Sequence, residues 1–277
     1  MNVSVLILTL NEEENLPSCL AALDWCDDIV VLDSFSTDRT VEIARAAGAR
    51  VVQRVFDNEP NQRNFGMKEI AFKHAWVYIP DADEICTTEL RDEMCAIASD
   101  PTRPEAFFLA RYRNMFMGRW IRRSSLYPTW MPRFVRPERT RFERLIHCRC
   151  VGDGPSGKLT SHYLHYSFNK GLEAWYDKHN RYSSDEAMIA TEEVTSQATS
   201  WRDLLSPDPT DRRYAIKAIA ARLPFRPTQR FLYMYVLRGG ILDGWAGFTY
   251  CRMLASYELM IVVKTAERRR RQLGQST

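Results

Sequence analysis

Between residues 3 and 8 every position but Ser4 is apolar, and polar side chains resume at Thr9, Asn11 and Glu12. A run that is apolar on both faces is what a central strand covered by helices requires. The same succession recurs. Residues 29–32 are apolar and run into Asp33-Ser34-Phe35-Ser36-Thr37-Asp38, residues 51–52 mark a third strand, and residues 76–79 form a fourth, stopped by Pro80 and followed by Asp81 and Asp83. Between them the spacing predicts helices over 13–23, 39–47 and 61–73, the first with Asn11 as N-cap and the second ended by Gly48. Strands alternating with helices of about ten residues predict parallel βαβ units and an α/β fold.

In a parallel sheet the three polar strand ends, Thr9 to Glu12, Asp33 to Asp38 and Asp81 to Asp83, fall on one edge. That edge is where open α/β sheets bind ligands. Two carboxylates with one residue between them, emerging there, suit a hard divalent cation, since Mg²⁺ and Mn²⁺ are commonly held by one or two carboxylates plus substrate phosphates. Taken one at a time, the same residues are also ordinary helix caps and turn formers. No G-x-G-x-x-G follows the first strand and no G-x-x-x-x-G-K-[ST] occurs anywhere, so dinucleotide and P-loop readings lose their anchor.

These motifs resemble those of the family 2 glycosyltransferases of the GT-A fold. The residues that carry the resemblance are Thr9-Leu10-Asn11-Glu12, the stretch from Val31 to Thr40, Gln62-Arg63-Asn64-Phe65-Gly66 and Asp81-Ala82-Asp83. It is strongest with the branch of lipopolysaccharide-core β-glucosyltransferases and exopolysaccharide transferases, and it covers nearly the whole chain. The resemblance implies a Rossmann-like, mostly parallel sheet flanked by helices, and a nucleotide-sugar donor, a UDP-sugar. By it, Thr9, Asn11, Glu12 and Asp33 line the uridine pocket, Arg63 faces the nucleotide or diphosphate, Asp81 binds ribose or supports the metal shell, and Asp83 ligates Mg²⁺ or Mn²⁺. Where many members carry an Asp or Gly after the first acid of the second motif, this chain has Ser34-Phe35.

An inverting transfer also needs a group to take the acceptor's proton, and a carboxylate or imidazole can do so. Glu143 and His147 are the candidates in residues 141–150, because Cys148 stands where the related branch often has a glutamate. Residues 172–195 read as a helix on which Lys178 and Arg181 share a face, placed to neutralise diphosphate or acceptor charge.

Arginines alternate with aromatics from Arg111 to Arg133, a pattern that suits stacked RNA bases, sugar faces or phosphates. Beside a nucleotide-binding edge, and without an RNA-binding signature, an acceptor-facing surface is the better reading. Two alternatives remain at this point: a non-catalytic RNA- or glycan-binding protein, and a phosphatase of the haloacid-dehalogenase type, which also uses Asp-x-Asp but usually on its first strand.

The length of 277 residues allows one large domain with an appendage, and the sequence divides into a catalytic domain over 1–170, a packed helical segment over 171–205 and an amphipathic extension over 206–277. That extension carries an apolar run broken by Arg238, Asp243, Arg252 and Glu258, beside Arg222, Arg226, Arg230 and Arg268 to Arg271, a composition suited to an interfacial seat on anionic lipid, with helical packing or dimerisation as the alternative. A net charge of +3 gives no argument for nucleic acid, and seven scattered cysteines behind an N-terminus without a charged n-region imply reduced thiols. The expectation is therefore a cytoplasmic enzyme lying on the inner face of the cell membrane.

Overall fold

The computed structural model describes residues 2–143, 149–196, 205 and 225–276. The described chain divides into two compact units, one of residues 1–120 and 127–170, the other of residues 121–126 and 171–277.

In the first unit the strands are β1 (Val3–Thr9), β2 (Ile29–Asp33), β3 (Arg50–Gln53), β4 (Trp76–Tyr78), β5 (Glu84–Ile85), β6 (Phe107–Phe116), β7 (Arg119–Trp120), β8 (Trp130–Val135), β9 (Thr140–Glu143), β10 (Arg149–Gly152) and β11 (Ser156–His165). Nine of them form one sheet in the order β3-β2-β1-β4-β8-β6-β11-β5, with β7 paired to β6, while β9 and β10 form a separate two-stranded antiparallel sheet. The β3-β2-β1-β4 half is parallel throughout, as the alternation predicts. β8 and β5 then run antiparallel to their neighbours, which the sequence pattern does not disclose.

Alternation along β1 fills both faces. Val3, Val5 and Ile7 pack on one side with Leu16 and Leu20 of α1 (Leu16–Ala21), Ala44 of α2 (Thr40–Ala46) and Leu90 and Met94 of α4 (Thr88–Ala98). On the other side Leu6 joins Leu32, Ile79 and Met67 of α3 (Glu59–Glu69). Each such side chain, fully withdrawn from water, contributes about 1.5–3 kcal/mol.

Two predicted helices differ at their ends. α1 begins at Leu16 after the cap Asn15, because Asn11 adopts a left-handed φ of 55° and spends its Oδ1 on the Thr37 N–H at 2.8 Å. α3 is capped by Asn58, which accepts from the Asn61 N–H, and stops at Glu69, not near Lys73. Lys73 is drawn away by buried Asp28, whose Oδ2 accepts its backbone N–H at 2.8 Å and the Ser4 hydroxyl at 2.5 Å.

The second unit contains α5 (Gly171–Ser196), α6 (Arg226–Leu232) and α7 (Gly244–Gln272). Its long helices are tied by Lys264, whose Nζ donates to the Asn180 carbonyl at 2.5 Å, to Asn180 Oδ1 at 2.7 Å and to Ser183 Oγ at 2.7 Å. Among the described residues no helix is long and apolar enough to cross a membrane.

Candidate active site

Sheet register sets the site. Thr9 is the partner of Asp33, Asp33 of Gln53, and Leu8 of Asp81, so four strand ends meet at one edge. Asp33 is fully buried there. Its carboxylate accepts from Thr9 Oγ1 at 3.0 Å, Ser36 N at 3.0 Å, Ser36 Oγ at 2.5 Å and Gln53 Nε2 at 3.0 Å. Burial opposes its charge, but the bonds from Ser36, Gln53 and Thr9 outweigh burial and hold the carboxyl below its ordinary value. Four donors use the lone-pair positions of a carboxylate, so in this conformation Asp33 shapes the loop and presents no free acceptor.

Asn11 is exposed, bonded through its side chain to Thr37 and through its N–H to Ser36 Oγ at 2.8 Å. Glu12 accepts from Asn15 Nδ2 at 2.8 Å and Lys170 Nζ at 2.5 Å. Phe35, held at φ 61°, and Leu10 rise exposed from the same two turns. A bulky residue at positive φ is strained, and here the strain leaves an aromatic ring in solvent at the sheet edge.

The two acids after β4 are treated differently. Asp81 binds Arg63 Nη2 at 3.1 Å and the Nη2 of buried Arg133, and these cations, working against burial, hold its carboxyl far below the usual range. Arg133 also meets Glu84 at 2.5 Å. Burial, aided by the charge of Asp81, pushes Glu84 up to about 7 against the pull of Arg133. Arg63 is buried, anchored on Glu59 at 3.0 Å, with the ring of Phe142 5.4 Å from its guanidinium carbon; its Nη1 has no partner among the described residues.

Asp83 meets no arginine among the described residues. Among the described residues its carboxylate meets His165 Nε2 at 3.3 Å, and both side chains are about a quarter exposed. Burial opposes the charge of His165, yet Asp83, then Glu84 and Asp81, raise its affinity for a proton above the ordinary value. Asp83 lines a cleft of about 530 Å³ with Asn15, Ser18, Ile85, Tyr166 and Asn169. Among the described residues no group of three metal-ligating side chains occurs. A cation here would rest on Asp83 with His165 beside it and would draw its remaining ligands from phosphate and water, the usual arrangement for Mg²⁺ and Mn²⁺ at phosphates. The donor set fits that role.

A sequence comparison decides the family. Residues 4–156, more than half of the chain, match the family model described as glycosyl transferase family 2. The chain belongs to this family. An uncharacterized glycosyltransferase of Rickettsia bellii is 36% identical over 93 residues, 33% of this chain and 31% of that protein. The first curated relatives are thus matched over about a third of their own length. The lipopolysaccharide core biosynthesis glycosyltransferase LpsC of Rhizobium meliloti is 24% identical over 271 residues, 96% of this chain and 92% of its own. Among solved structures, glucosyl-3-phosphoglycerate synthase of Mycobacterium tuberculosis in complex with Mn²⁺, UDP and glucosyl-3-phosphoglycerate superposes with a TM-score of 0.34 and 24% identity, over 40% of this chain and 44% of that one.

The family-matched region brings Thr9, Asn11, Glu12, Asp33, Arg63, Asp81 and Asp83 to one edge. Glu143 ends β9, exposed, with Arg141 Nε on its Oε1 at 2.6 Å, whereas His147 and Cys148 lie outside the described residues. Lys178 and Arg181 are exposed on α5 of the second unit, Lys178 lying 5.7 Å from the Tyr182 ring centre. Four contributors went unread in the sequence: Gln53, Phe35, Arg133 and His165. Gln53 and His165 join the site only through strand register, and Arg133 reads as one more member of the arginine and aromatic span.

Proposed function

We propose that this chain is an inverting glycosyltransferase that moves a sugar from a nucleotide sugar, a UDP-sugar, to a glycan acceptor of the lipopolysaccharide, exopolysaccharide or lipid-linked kind. The observation that carries the reading is the unequal treatment of the two acids: Asp81 is neutralised by two arginines, while Asp83 faces the cleft beside an imidazole. Support for the acceptor class comes from the likeness to LpsC along nearly the full chain.

In this reading the turns carrying Asn11 and Phe35 receive the base, with Asp33 and Thr9 fixing the loop beneath. Asp83, with His165 beside it, would hold a divalent cation, Mg²⁺ or Mn²⁺, which when bound would offset the charge that builds on the departing diphosphate. Arg63 and Arg133 keep Asp81 ionised and in place. The acceptor oxygen attacks the anomeric carbon, the bond from that carbon to the diphosphate breaks, and the hydroxyl proton passes to a base, Glu143 or His147. Lys178 and Arg181 supply positive charge for the diphosphate or the acceptor.

A screen of UDP-, GDP- and dTDP-sugars for Mn²⁺-dependent donor hydrolysis tests the donor. Turnover confined to UDP-sugars supports the assignment, and activity unaffected by chelation of the metal contradicts it. Glu143→Gln and His147→Ala separate the two bases, since loss of the true base costs about 10²–10⁴ in rate.

A further inference from the structure

The second unit carries a face that the transfer reading does not use. From residue 225 to residue 263 most exposed side chains are apolar, though Thr228, Gln229, Arg238, Arg252 and Ser256 are exposed as well: Leu237 is 78% exposed, Leu242 and Trp245 each 70%, and Ile241 56%. Along α7 the pattern persists at helical spacing through Phe248, Leu259 and Val263. So many large apolar side chains exposed on one part of a folded protein mark an interaction site.

The charges on the face have one sign. Its acids are Asp243 and Glu258, and neither is exposed. Asp243 accepts from the N–H groups of Arg123 and Ser124, each at 2.8 Å, and Glu258 is paired with Arg226 at 2.7 Å. The exposed charges between 225 and 263 are Arg238 and Arg252, and Arg122 and Arg123 are exposed on the segment that Asp243 holds.

The face is also rigidly built. A Cβ on Gly247 would come 2.3 Å from the Gly240 carbonyl oxygen, and one on Gly239, at φ 75°, would meet the Arg123 side chain at 3.2 Å. The turn bearing Leu237, Ile241 and Leu242 is thereby packed onto the start of α7.

We propose that this face seats the protein on an anionic lipid bilayer, with Leu237, Leu242 and Trp245 entering the interface and Arg238, Arg252, Arg122 and Arg123 meeting lipid phosphates. Amphipathic surfaces that pair buried Trp and Leu with flanking arginines bind in this way, and their affinity combines apolar area with attraction to anionic headgroups. A second copy of the chain fits less well, because two such faces brought together would oppose arginine to arginine with no exposed carboxylate between them among the described residues. The tetrad Arg268 to Arg271 lies beyond Val263 and on the order of 35 Å along α7 from Trp245 at the rise of a regular helix, so it is not among the arginines beside Trp245.

Vesicle flotation of the full chain, with neither donor nor acceptor present, tests this separately from sugar transfer. Wild-type protein is expected to float with phosphatidylcholine vesicles containing phosphatidylglycerol, and not with phosphatidylcholine alone. Leu242→Glu/Trp245→Glu should abolish flotation with an unchanged circular dichroism spectrum. Arg238→Gln/Arg252→Gln should weaken it by roughly fivefold per arginine. Quenching of Trp fluorescence by brominated lipid, reduced in Trp245→Phe, gives a second readout that tolerates the fold. Wild type that ignores anionic vesicles, or a Leu242→Glu/Trp245→Glu protein that floats like wild type, overturns the proposal. So does a dimer in light scattering that the same variant converts to a monomer while vesicles are ignored.

Discussion

Asp28 and Asp33 do the same physical work at opposite ends of β2. Each is a buried carboxylate whose ionised form is held by donors gathered from distant parts of the chain: Ser4, Lys73 and Arg50 for Asp28, and Ser36, Gln53 and Thr9 for Asp33. In both, burial works against the charge and the hydrogen bonds prevail, so the folded carboxyl lies below its ordinary value. The stability they contribute is therefore fully present above the usual carboxylate range near pH ~4 and is lost as pH falls through the folded values. Thermal unfolding followed from neutral pH downward should show that loss. Asp28→Asn should be less stable at neutral pH by about 1–3 kcal/mol, as expected when buried donors lose their acceptor, and less sensitive to acid; an unchanged acid profile would refute the assignment. At this scale the sequence made Asp33 and Asp83 legible, because each follows an apolar run that ends in polar residues. It could not show that Asp33 is saturated, since Gln53 reaches it only through the pairing of β2 with β3.

Among the elements, α3 has the most exacting fit. It carries Arg63 into the site on one turn and places Gly66 against β1 on the next, where an added Cβ would come 2.6 Å from Leu6 Cδ2. Gly66→Ala gains helix propensity but overpacks that contact, and the expected net is a destabilisation of about 1–3 kcal/mol in urea denaturation. A neutral or stabilising result would mean that Leu6 yields freely. In the second unit Lys264→Met removes the donors that Asn180 and Ser183 receive from α7. It should lower the melting temperature, and no shift would show that apolar packing of α5 on α7 suffices. The parallel half of the sheet was legible from apolar runs with polar ends. The helix ends were not, because Asn11 has two uses for its side chain, as a cap or as a bridge to Thr37, and only the tertiary fold selects one. The antiparallel course of β8 and β5 was hidden for a similar reason: strand direction leaves no mark on hydrophobic periodicity.

Across the whole molecule, a sheet edge gathers Asn11, Asp33, Asp81 and Asp83 in the first unit, and an apolar, arginine-bearing face marks the second. The family match covers residues 4–156, which include the sheet-edge residues from Thr9 to Asp83 and Arg133 but not His165. His165 is reached only because β11 runs back beside β6 and ends next to Asp83. In the proposed reading Asp83, which meets His165, and not Asp81, which two arginines neutralise, is the carboxylate on which a metal-bound nucleoside diphosphate is held. Calorimetric titration of UDP in the presence of Mn²⁺, comparing wild type with Asp83→Asn, tests it most directly. Wild type should bind UDP with Mn²⁺ and lose most of that affinity when the metal is chelated, while Asp83→Asn should bind at least about tenfold more weakly, a loss seen when a metal's supporting groups are removed, with an unchanged melting temperature. Equal affinity of the two proteins for UDP in Mn²⁺ would contradict the account.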